Sequence, residues 1–364
     1  MASYSPTSYA YAHARVRILY SLLLSPKILA DLREAANFDM LISLLKETVY
    51  GSYLSKAEDR DLNPRRVVYQ IKGRIADSYL NIIHAAPPYT RPLLVQLYRH
   101  FELDNLKAIL RGNVTGSSWD QVRHVLFPLG AFTDLPGETM VESGNVGASI
   151  EQLVHTPYYY VLSHAMQRYT NEQSLFPLEV ALDLDYWRKL WDSISNLPDQ
   201  DQSRALQILG PMVDMTNLMW AVRYRIYHHL AEEEIINYTL SFGYHLRDDD
   251  IKAIAAGGDI SNIVEKIYPN LENINTLVQQ PLRGLSILEL LLQRFVADQC
   301  KEVFTGYPFH IGLELAILVL TELEIRDLTV LIEAKSSNMP YEDYGPYLVT
   351  SPDAANLDHL LNGA

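Results

Sequence analysis

Apolar residues recur along most of this chain at the three- and four-residue spacing that places them on one face of an α-helix. The segment ILADLREAANF shows the spacing at Leu29, Leu32 and Ala36, and the leucines between residues 285 and 295 show it again. Alternation with a period of two, which would indicate β-strands, is scarce. The pattern therefore predicts an all-α fold.

Two helix starts can be read from local chemistry. Pro26 follows Ser25, a residue type that caps helix N-termini, and proline is favoured in the first helical turn. Three consecutive acids at 248–250 suit the positive end of a helix dipole. Helices are thus expected to begin at about these positions.

The helical pattern contains a repeat that occurs three times. Leu106, Leu218 and Leu328 lie 112 and 110 residues apart. Around each leucine, an acid lies four residues earlier, an Asn or Asp lies directly before it, and an apolar pair follows three and four residues later. The acid and the polar residue of each copy are Glu102 with Asn105, Asp214 with Asn217, and Glu324 with Asp327.

Two further landmarks keep this period. Tyr50, Tyr158 and Tyr268 each follow an amphipathic segment and lie 108 and 110 residues apart. The stretch PLGAF at 128–132 aligns with SFGYH at 241–245, which places a glycine where a helix would end in a left-handed cap. The first copy offers only LLSPK at the corresponding place.

The period divides the chain into three helical units, 10–116, 117–230 and 231–348, followed by a polar tail at 349–364. Solenoid repeats are about 20–50 residues long, whereas each of these units is long enough to bury a small core of its own. We therefore expect three related helical domains and a loosely held tail.

The repeated Asn105, Asn217 and Asp327 are the first candidates for chemistry, since three equivalent polar groups could converge on an axis. A structural interpretation is favoured. A polar side chain flanked by apolar residues in a helix must satisfy its hydrogen bonds locally or across a helix pair. A repeated clamp does this without any ligand.

A metal-dependent hydrolase is a further hypothesis. His228 and Glu232 lie four residues apart, as do His229 and Glu233, so each pair could share a helix face and bind a metal. The favoured interpretation is a helix end that meets the acidic first turn of the next helix. The chain has no GxSxG motif, no phosphate-binding loop and no Rossmann fingerprint. We expect neither a catalytic site nor a cofactor.

Composition excludes several partner classes. The formal net charge of −14 disfavours nucleic acid, and no local basic patch outweighs it. No uncharged apolar run reaches 18 residues, so we expect no transmembrane span, and the first residues lack the pattern of a signal peptide. The single cysteine, Cys300, is expected to be a small buried hydrophobe.

Protein contact is the remaining kind of function for which the residues offer candidates. Tyrosine and arginine often anchor interfaces, and the chain has 24 tyrosines. The basic pairs Arg15 with Arg17 and Arg223 with Arg225 are the candidate interface residues.

Several blocks in this order and spacing resemble the C subunit of A-type and bacterial V/A-type rotary ATPases, the counterpart of the d subunit in the eukaryotic V-type enzyme. The resemblance covers nearly the whole chain. The blocks are ARVRILYSLLL at 14–24, TVYGSYL at 48–54, LDNLKAILRG at 103–112, LFPLEVALDLDYW at 175–187, TNLMWAVRYRIYHHLAEEEI at 216–235 and PFHIGLELAILVLTELEIRDLTVLIEAK at 308–335.

This resemblance implies a non-catalytic central-rotor subunit without a cofactor. It implies three similar helical domains in a pseudo-threefold, funnel-like arrangement, on the cytoplasmic face of the membrane. The implied partners are the proteolipid ring and the central stalk, whose coupling links ATP hydrolysis or synthesis to proton or sodium transport. The alternative is a free-standing helical scaffold or adaptor that shares the repeat and binds other proteins.

Overall fold

The computed structural model describes residues 6–55, 62–133, 135–268 and 281–350, with the side chains of residues 6 and 281–283 excepted. The predicted all-α fold is confirmed, because no β-strand occurs within these ranges. The tail beyond residue 350 lies outside the described residues.

Eighteen α-helices occur in the described ranges. They are α1 (Ala10–Ser21), α2 (Pro26–Glu34), α3 (Phe38–Lys46), α4 (Gly51–Leu54), α5 (Pro64–Ala85), α6 (Arg91–Thr115), α7 (Trp119–Val122), α8 (Gly137–Glu142), α9 (Val146–Glu151), α10 (Tyr159–Glu172), α11 (Phe176–Ser195), α12 (Asp199–Ile226), α13 (Glu232–Asn237), α14 (Asp248–Ala255), α15 (Ile260–Ile267), α16 (Pro281–Val303), α17 (Ile311–Ser336) and α18 (Tyr341–Tyr344). Short 3₁₀ segments occupy Pro6–Tyr9, Gly130–Phe132 and Gly345–Tyr347.

Both helix starts expected from local chemistry are confirmed. The Ser25 hydroxyl accepts the backbone N–H of Ile28, and α2 begins at Pro26. Helix α14 begins at Asp248, and the Asp250 carboxylate accepts the backbone N–H of Arg247. In each case a side-chain oxygen satisfies a backbone donor that the first turn leaves without a partner.

Three pairs of long helices form the framework. Helix α6 packs on α11, α12 packs on α16, and α17 packs on α5. In each pair the first-named helix carries the repeated acid and polar residue. The third pair joins the last long helix of the chain to the first long one, so the packing order closes on itself.

Helix α17 is apolar nearly all round because it is covered on most sides. Besides α5 it contacts α1, α3, α12 and α16. A helix that is hydrophobic around its whole circumference belongs in a core. Among the described helices, none is long and apolar enough to be a membrane span.

The buried apolar residues form two clusters. The larger one includes residues from α1 to α11 together with parts of α12, α16 and α17. The smaller one lies around the second half of α12, α13 to α15 and the first half of α16. The expectation for Cys300 is confirmed, since its side chain is fully buried and burial raises the pKa of its thiol.

Candidate functional site

Asn105 and Asn217 hold the chain in the same way. The Asn105 amide donates to the carbonyl of Phe127 at 2.9 Å, and its oxygen accepts the N–H of the same residue at 2.6 Å. Asn217 makes the same two bonds to Leu240, at 2.9 and 2.8 Å. Both amides are buried, and each ties its helix to a loop 22 or 23 residues further along the chain.

Asp327 clamps the equivalent segment of the third copy with acceptors alone. Its carboxylate accepts the N–H groups of Val349 and Thr350 at 2.8 and 2.6 Å, together with the Thr350 hydroxyl at 2.5 Å. The nearer of these residues again lies 22 positions further along. The three polar positions therefore have the geometry of structural clamps.

Two acids of the repeat accept a hydrogen bond from the tyrosine of the following copy, and the third tyrosine bonds to the backbone near its acid. The Tyr158 hydroxyl donates to Glu102 at 2.5 Å. The Tyr50 hydroxyl donates to Glu324 at 2.7 Å, across 274 positions of the chain. In the third case the Tyr268 hydroxyl donates to the carbonyl of Pro211 at 3.1 Å, one turn before Asp214 on α12.

Each acid also accepts hydrogen bonds from a loop that lies earlier in the same copy as the tyrosine of its junction. Glu324 accepts the Leu24 N–H at 2.6 Å, and Glu102 accepts the Thr133 hydroxyl at 2.8 Å. Asp214 accepts the N–H groups of Tyr244 and His245, both at 2.7 Å. The segment LLSPK of the first copy therefore contacts Glu324 in the same way that the loop after PLGAF contacts Glu102 and the segment SFGYH contacts Asp214.

Taken in order, these contacts form a closed cycle of three junctions. The loop and tyrosine of the second copy sit on the acid helix of the first, those of the third sit on the second, and those of the first sit on the third. Two of these junctions join copies that follow one another in the sequence. The third joins the two ends of the protein.

Arg74 makes the closing junction electrostatically distinct. Arg74 is 3% exposed, and its guanidinium donates to the carbonyl of Leu22 at 2.9 Å. The guanidinium also lies 3.8 Å from the Glu324 carboxylate and 5.0 Å above the Tyr50 ring. Burial raises the pKa of Glu324, and Arg74 opposes this shift. Arg74 and Glu324 thus form a buried pair in which each group also has hydrogen-bond partners of its own.

Asp214 forms no ion pair with Lys or Arg in the described part of the chain. Burial raises the pKa of its carboxyl, and the backbone N–H groups of His245 and Tyr244 oppose the shift. The three junctions therefore join corresponding segments of the copies but stabilise their acids by different means.

The four candidate interface arginines have contacts of their own. Arg15 and Arg17 lie on α1, where Arg15 donates to the Tyr11 hydroxyl at 2.9 Å and Arg17 lies 5.7 Å from the Phe304 ring. The other two are tied to their surroundings: Arg223 pairs with Glu289 at 2.5 Å, while Arg225 donates to the carbonyls of Ile254 and Gly258, both at 3.1 Å. A role for these arginines at an interface stays a prediction.

The histidines considered as metal ligands lie between the end of α12 and the start of α13. His228 stacks on the Phe176 ring at 4.9 Å, and His229 adopts a left-handed backbone with φ of 49°. No group of three or more His, Cys, Asp or Glu side chains in the described ranges is placed to hold a metal ion. Nothing in this arrangement favours the hydrolase hypothesis.

Sequence reasoning missed two polar groups. Arg74 occupies a position on the apolar stripe of α5 with Ile71 and Ile75, and a charge on such a stripe is the signal that could have identified it. The other is a pair of buried acids, Asp201 and Glu314, where α12 and α17 begin.

This acid pair is unevenly satisfied. Asp201 accepts the Ile311 N–H and the Tyr89 hydroxyl, both at 3.2 Å. The Glu314 carboxyl is 1% exposed, and neither of its oxygens has a hydrogen-bond partner among the described residues. Burial raises the pKa of Glu314 well above its usual value, and the neighbouring Asp201 adds to the shift. The surroundings of Glu314 therefore favour the neutral form of its carboxyl over the charged form.

Comparisons with known proteins identify relatives that match most of the chain. The chain is 25% identical to the C subunit of the A-type ATP synthase of Methanocaldococcus jannaschii, over 94% of this chain and 86% of that protein. It is 23% identical to the protein of the same name from Methanosphaera stadtmanae, over 91% of this chain and 85% of the relative. It is 20% identical to the one from Methanosarcina mazei, over 92% and 91%. Since the profile of the family described as ATP synthase (C/AC39) subunit matches residues 12–346, the chain belongs to that family.

Proposed function

We propose that this chain is a non-catalytic central-rotor subunit of a V/A-type ATPase. In this role it lies peripherally on the cytoplasmic face of the membrane and joins the proteolipid ring to the central stalk. The joint links ATP hydrolysis or synthesis to proton or sodium transport. The three copies form the three lobes of a funnel, with bounds close to 10–116, 117–230 and 231–348.

The observation that carries this proposal is the closed cycle of junctions. An adaptor that transmits torque must resist twisting between its lobes, and an open row of three domains would flex at both ends. Here the Tyr50–Glu324 bond and the α5–α17 packing join the last copy to the first. Quasi-equivalent lobes around an axis also suit a partner with rotational symmetry.

Magnitudes support a rigid joint. One ion that crosses about 100 mV releases only about 2.3 kcal/mol, so the work of several crossings must be pooled before the soluble head can use it. The joint must hold its shape meanwhile. Permanent contacts of this kind bury roughly 2,000 Å² or more.

The test is purification of the tagged, full-length protein from its native membranes in mild detergent, with mass spectrometry of the retained proteins at defined stoichiometry. We expect one copy together with a proteolipid ring and central-stalk subunits. A protein that stays alone, or that retains partners without any ATPase subunit, would refute the rotor role and favour the scaffold.

A second experiment tests coupling within the purified complex. Tyr50→Phe and Tyr158→Phe together weaken two of the three junctions, so we expect ATP hydrolysis to continue while fewer ions are transported for each ATP. Tyr53→Phe is the matched control, because the Tyr53 hydroxyl donates to Asp77 at an exposed site. An unchanged ion-to-ATP ratio in the double variant would argue against a role of the cycle in coupling.

A further inference from the structure

A groove runs between the first half of α5 and the loop after α7. It consists of two adjoining clefts of about 740 and 440 Å³. Four residues line both clefts, and these are Arg65, Tyr69, His124 and Val125. The end of α17, at residues 333–337, borders the smaller cleft. The groove therefore lies where three parts of the chain meet.

The middle of the groove is apolar and uncovered. Val125 is 60% exposed and Tyr69 is 39% exposed, and the partly buried Val68 and Leu126 lie beside them. Large apolar side chains that lie together at the surface mark sites of interaction when polar residues surround them. Here the rim is polar and mainly basic.

The charge of the rim is opposite to that of the protein as a whole. Arg65, Arg66, Lys72 and His124 line the two clefts, although the chain carries a formal net charge of −14. Within the described ranges, Arg65 and Lys72 have no ion-pair partner within 4.0 Å, and burial lowers the pKa of Lys72. Carboxylates in the groove would pair with these cations and offset their loss of hydration.

The acids that line the groove leave this basic character in place. Asp120 is already paired with Arg123 at 2.8 Å. Glu333 is exposed and lies near Lys72 without forming an ion pair with it. Gln70 also lines the larger cleft, and its side chain is partly buried there. A side-chain amide carries both a donor and an acceptor group, so it suits the peptide groups of a protein segment better than a bare anion, which can only accept.

We propose that this groove binds an acidic amphipathic segment of another protein subunit of the same assembly. The apolar side chains of that segment pack on Val125 and Tyr69, and its carboxylates pair with Arg65 and Lys72. The inference rests on the proposed function for the existence of an assembly. It goes further in naming the surface and the chemistry of the partner.

Photo-crosslinking within the purified complex tests the proposal. A benzophenone amino acid replaces Val125, and the same replacement of Tyr160, which is 71% exposed on α10, serves as the control position. We expect the Val125 probe to form a crosslink to a peptide of another subunit that is rich in Asp, Glu and apolar residues. The Tyr160 probe should not give this crosslinked peptide.

Charge reversal provides the matched comparison. Because placing like charges opposite one another at an interface is costly, Arg65→Glu should lower the yield of the Val125 crosslink by about tenfold or more. Arg188→Glu makes the same change at an exposed position of α11 outside the groove and should leave the yield unchanged. Circular dichroism of both variants confirms that each is folded.

The outcomes separate this proposal from the rotor role. If the chain purifies with ATPase subunits but the Val125 probe crosslinks only lipid, only this chain, a peptide without acidic residues, or nothing, the groove proposal is wrong and the rotor role stands. Equal loss of crosslinking in Arg65→Glu and Arg188→Glu would also overturn it. If no ATPase subunit is retained, the rotor role is refuted, and the groove proposal, which rests on it, is refuted with it.

Discussion

Replacing Tyr50 by Phe tests the junction that closes the cycle. The substitution removes one hydroxyl, which donates to Glu324 at 2.7 Å, and keeps the buried ring beneath the Arg74 guanidinium. Tyr50 is fully buried and Glu324 is 4% exposed, so water does not readily replace the lost bond. The change therefore isolates a single hydrogen bond.

The expected magnitude follows from what Glu324 retains. Hydrogen bonds to charged groups contribute about 1.5–3 kcal/mol. Glu324 keeps the Leu24 N–H at 2.6 Å and Arg74 at 3.8 Å, so its carboxylate is not left without partners. We expect Tyr50→Phe to lower the free energy of unfolding by about 1.5–2 kcal/mol, at the low end of that range.

The assay is urea unfolding followed by helical circular dichroism, with Tyr53→Phe as the matched control. The Tyr53 hydroxyl donates to Asp77 at 2.8 Å at an exposed site, where water replaces it, so the control should lose less than about 0.5 kcal/mol. A double-mutant cycle of Tyr50→Phe with Glu324→Gln should show a coupling of about 1 kcal/mol or more. Additive effects, or equal losses in the two tyrosine variants, would refute the reasoning.

Three further changes test other buried contacts. Glu314→Met should raise the free energy of unfolding by about 1–3 kcal/mol at pH 8, because it removes a buried acid without partners among the described residues. Burial raises the pKa of Glu314 in the folded state. The stability that this group contributes is therefore fully present at pH values below its unfolded-state pKa, and it is lost as the pH rises through its folded-state pKa. Urea unfolding should therefore show a larger gain at pH 8 than at pH 5, and an equal gain would contradict this. Asn105→Asp should cost about 2–3 kcal/mol in urea unfolding, because the Phe127 carbonyl would face an acceptor; a loss below about 0.5 kcal/mol would argue against the clamp. Gly112→Ala places a methyl group 2.6 Å from a neighbouring side chain and should cost about 1–3 kcal/mol, whereas Gly147→Ala, with its nearest atom at 3.4 Å, should not lower the melting temperature.

The fold class and the landmarks of the repeat could be predicted from the sequence because both depend on local patterns of residues. Helical periodicity shows which face of a helix is buried, and the repeated Asn-Leu or Asp-Leu pairs showed which helices are equivalent. The apolar circumference of α17 indicated burial on most sides, and the charges within it marked where that helix holds its neighbours: Glu324 receives Tyr50, and Asp327 holds Val349.

The closing contact could not be read in the same way. Periodicity identifies the buried face of a helix but not the helix that covers it. The packing of α5 against α17 therefore could not be predicted from either segment alone. The same holds for Asp201 and Ile311, which meet across 110 positions of the chain. Glu314 lies in the first turn of α17, where an acid suits the helix dipole, so its type and position gave no sign of its burial.

The clamps also show why the three copies differ at their landmarks. An amide can donate and accept, so Asn105 and Asn217 each hold both groups of a single residue. A carboxylate can only accept, so Asp327 holds two successive N–H groups and a hydroxyl. Because a buried donor or acceptor without a partner is costly, the change from amide to acid requires a different partner segment. The third copy is therefore matched to its own loop: replacing Asp327 by the asparagine of the other copies would set an amide N–H₂ against backbone N–H groups, and replacing either asparagine by an aspartate would leave a buried carbonyl without a donor.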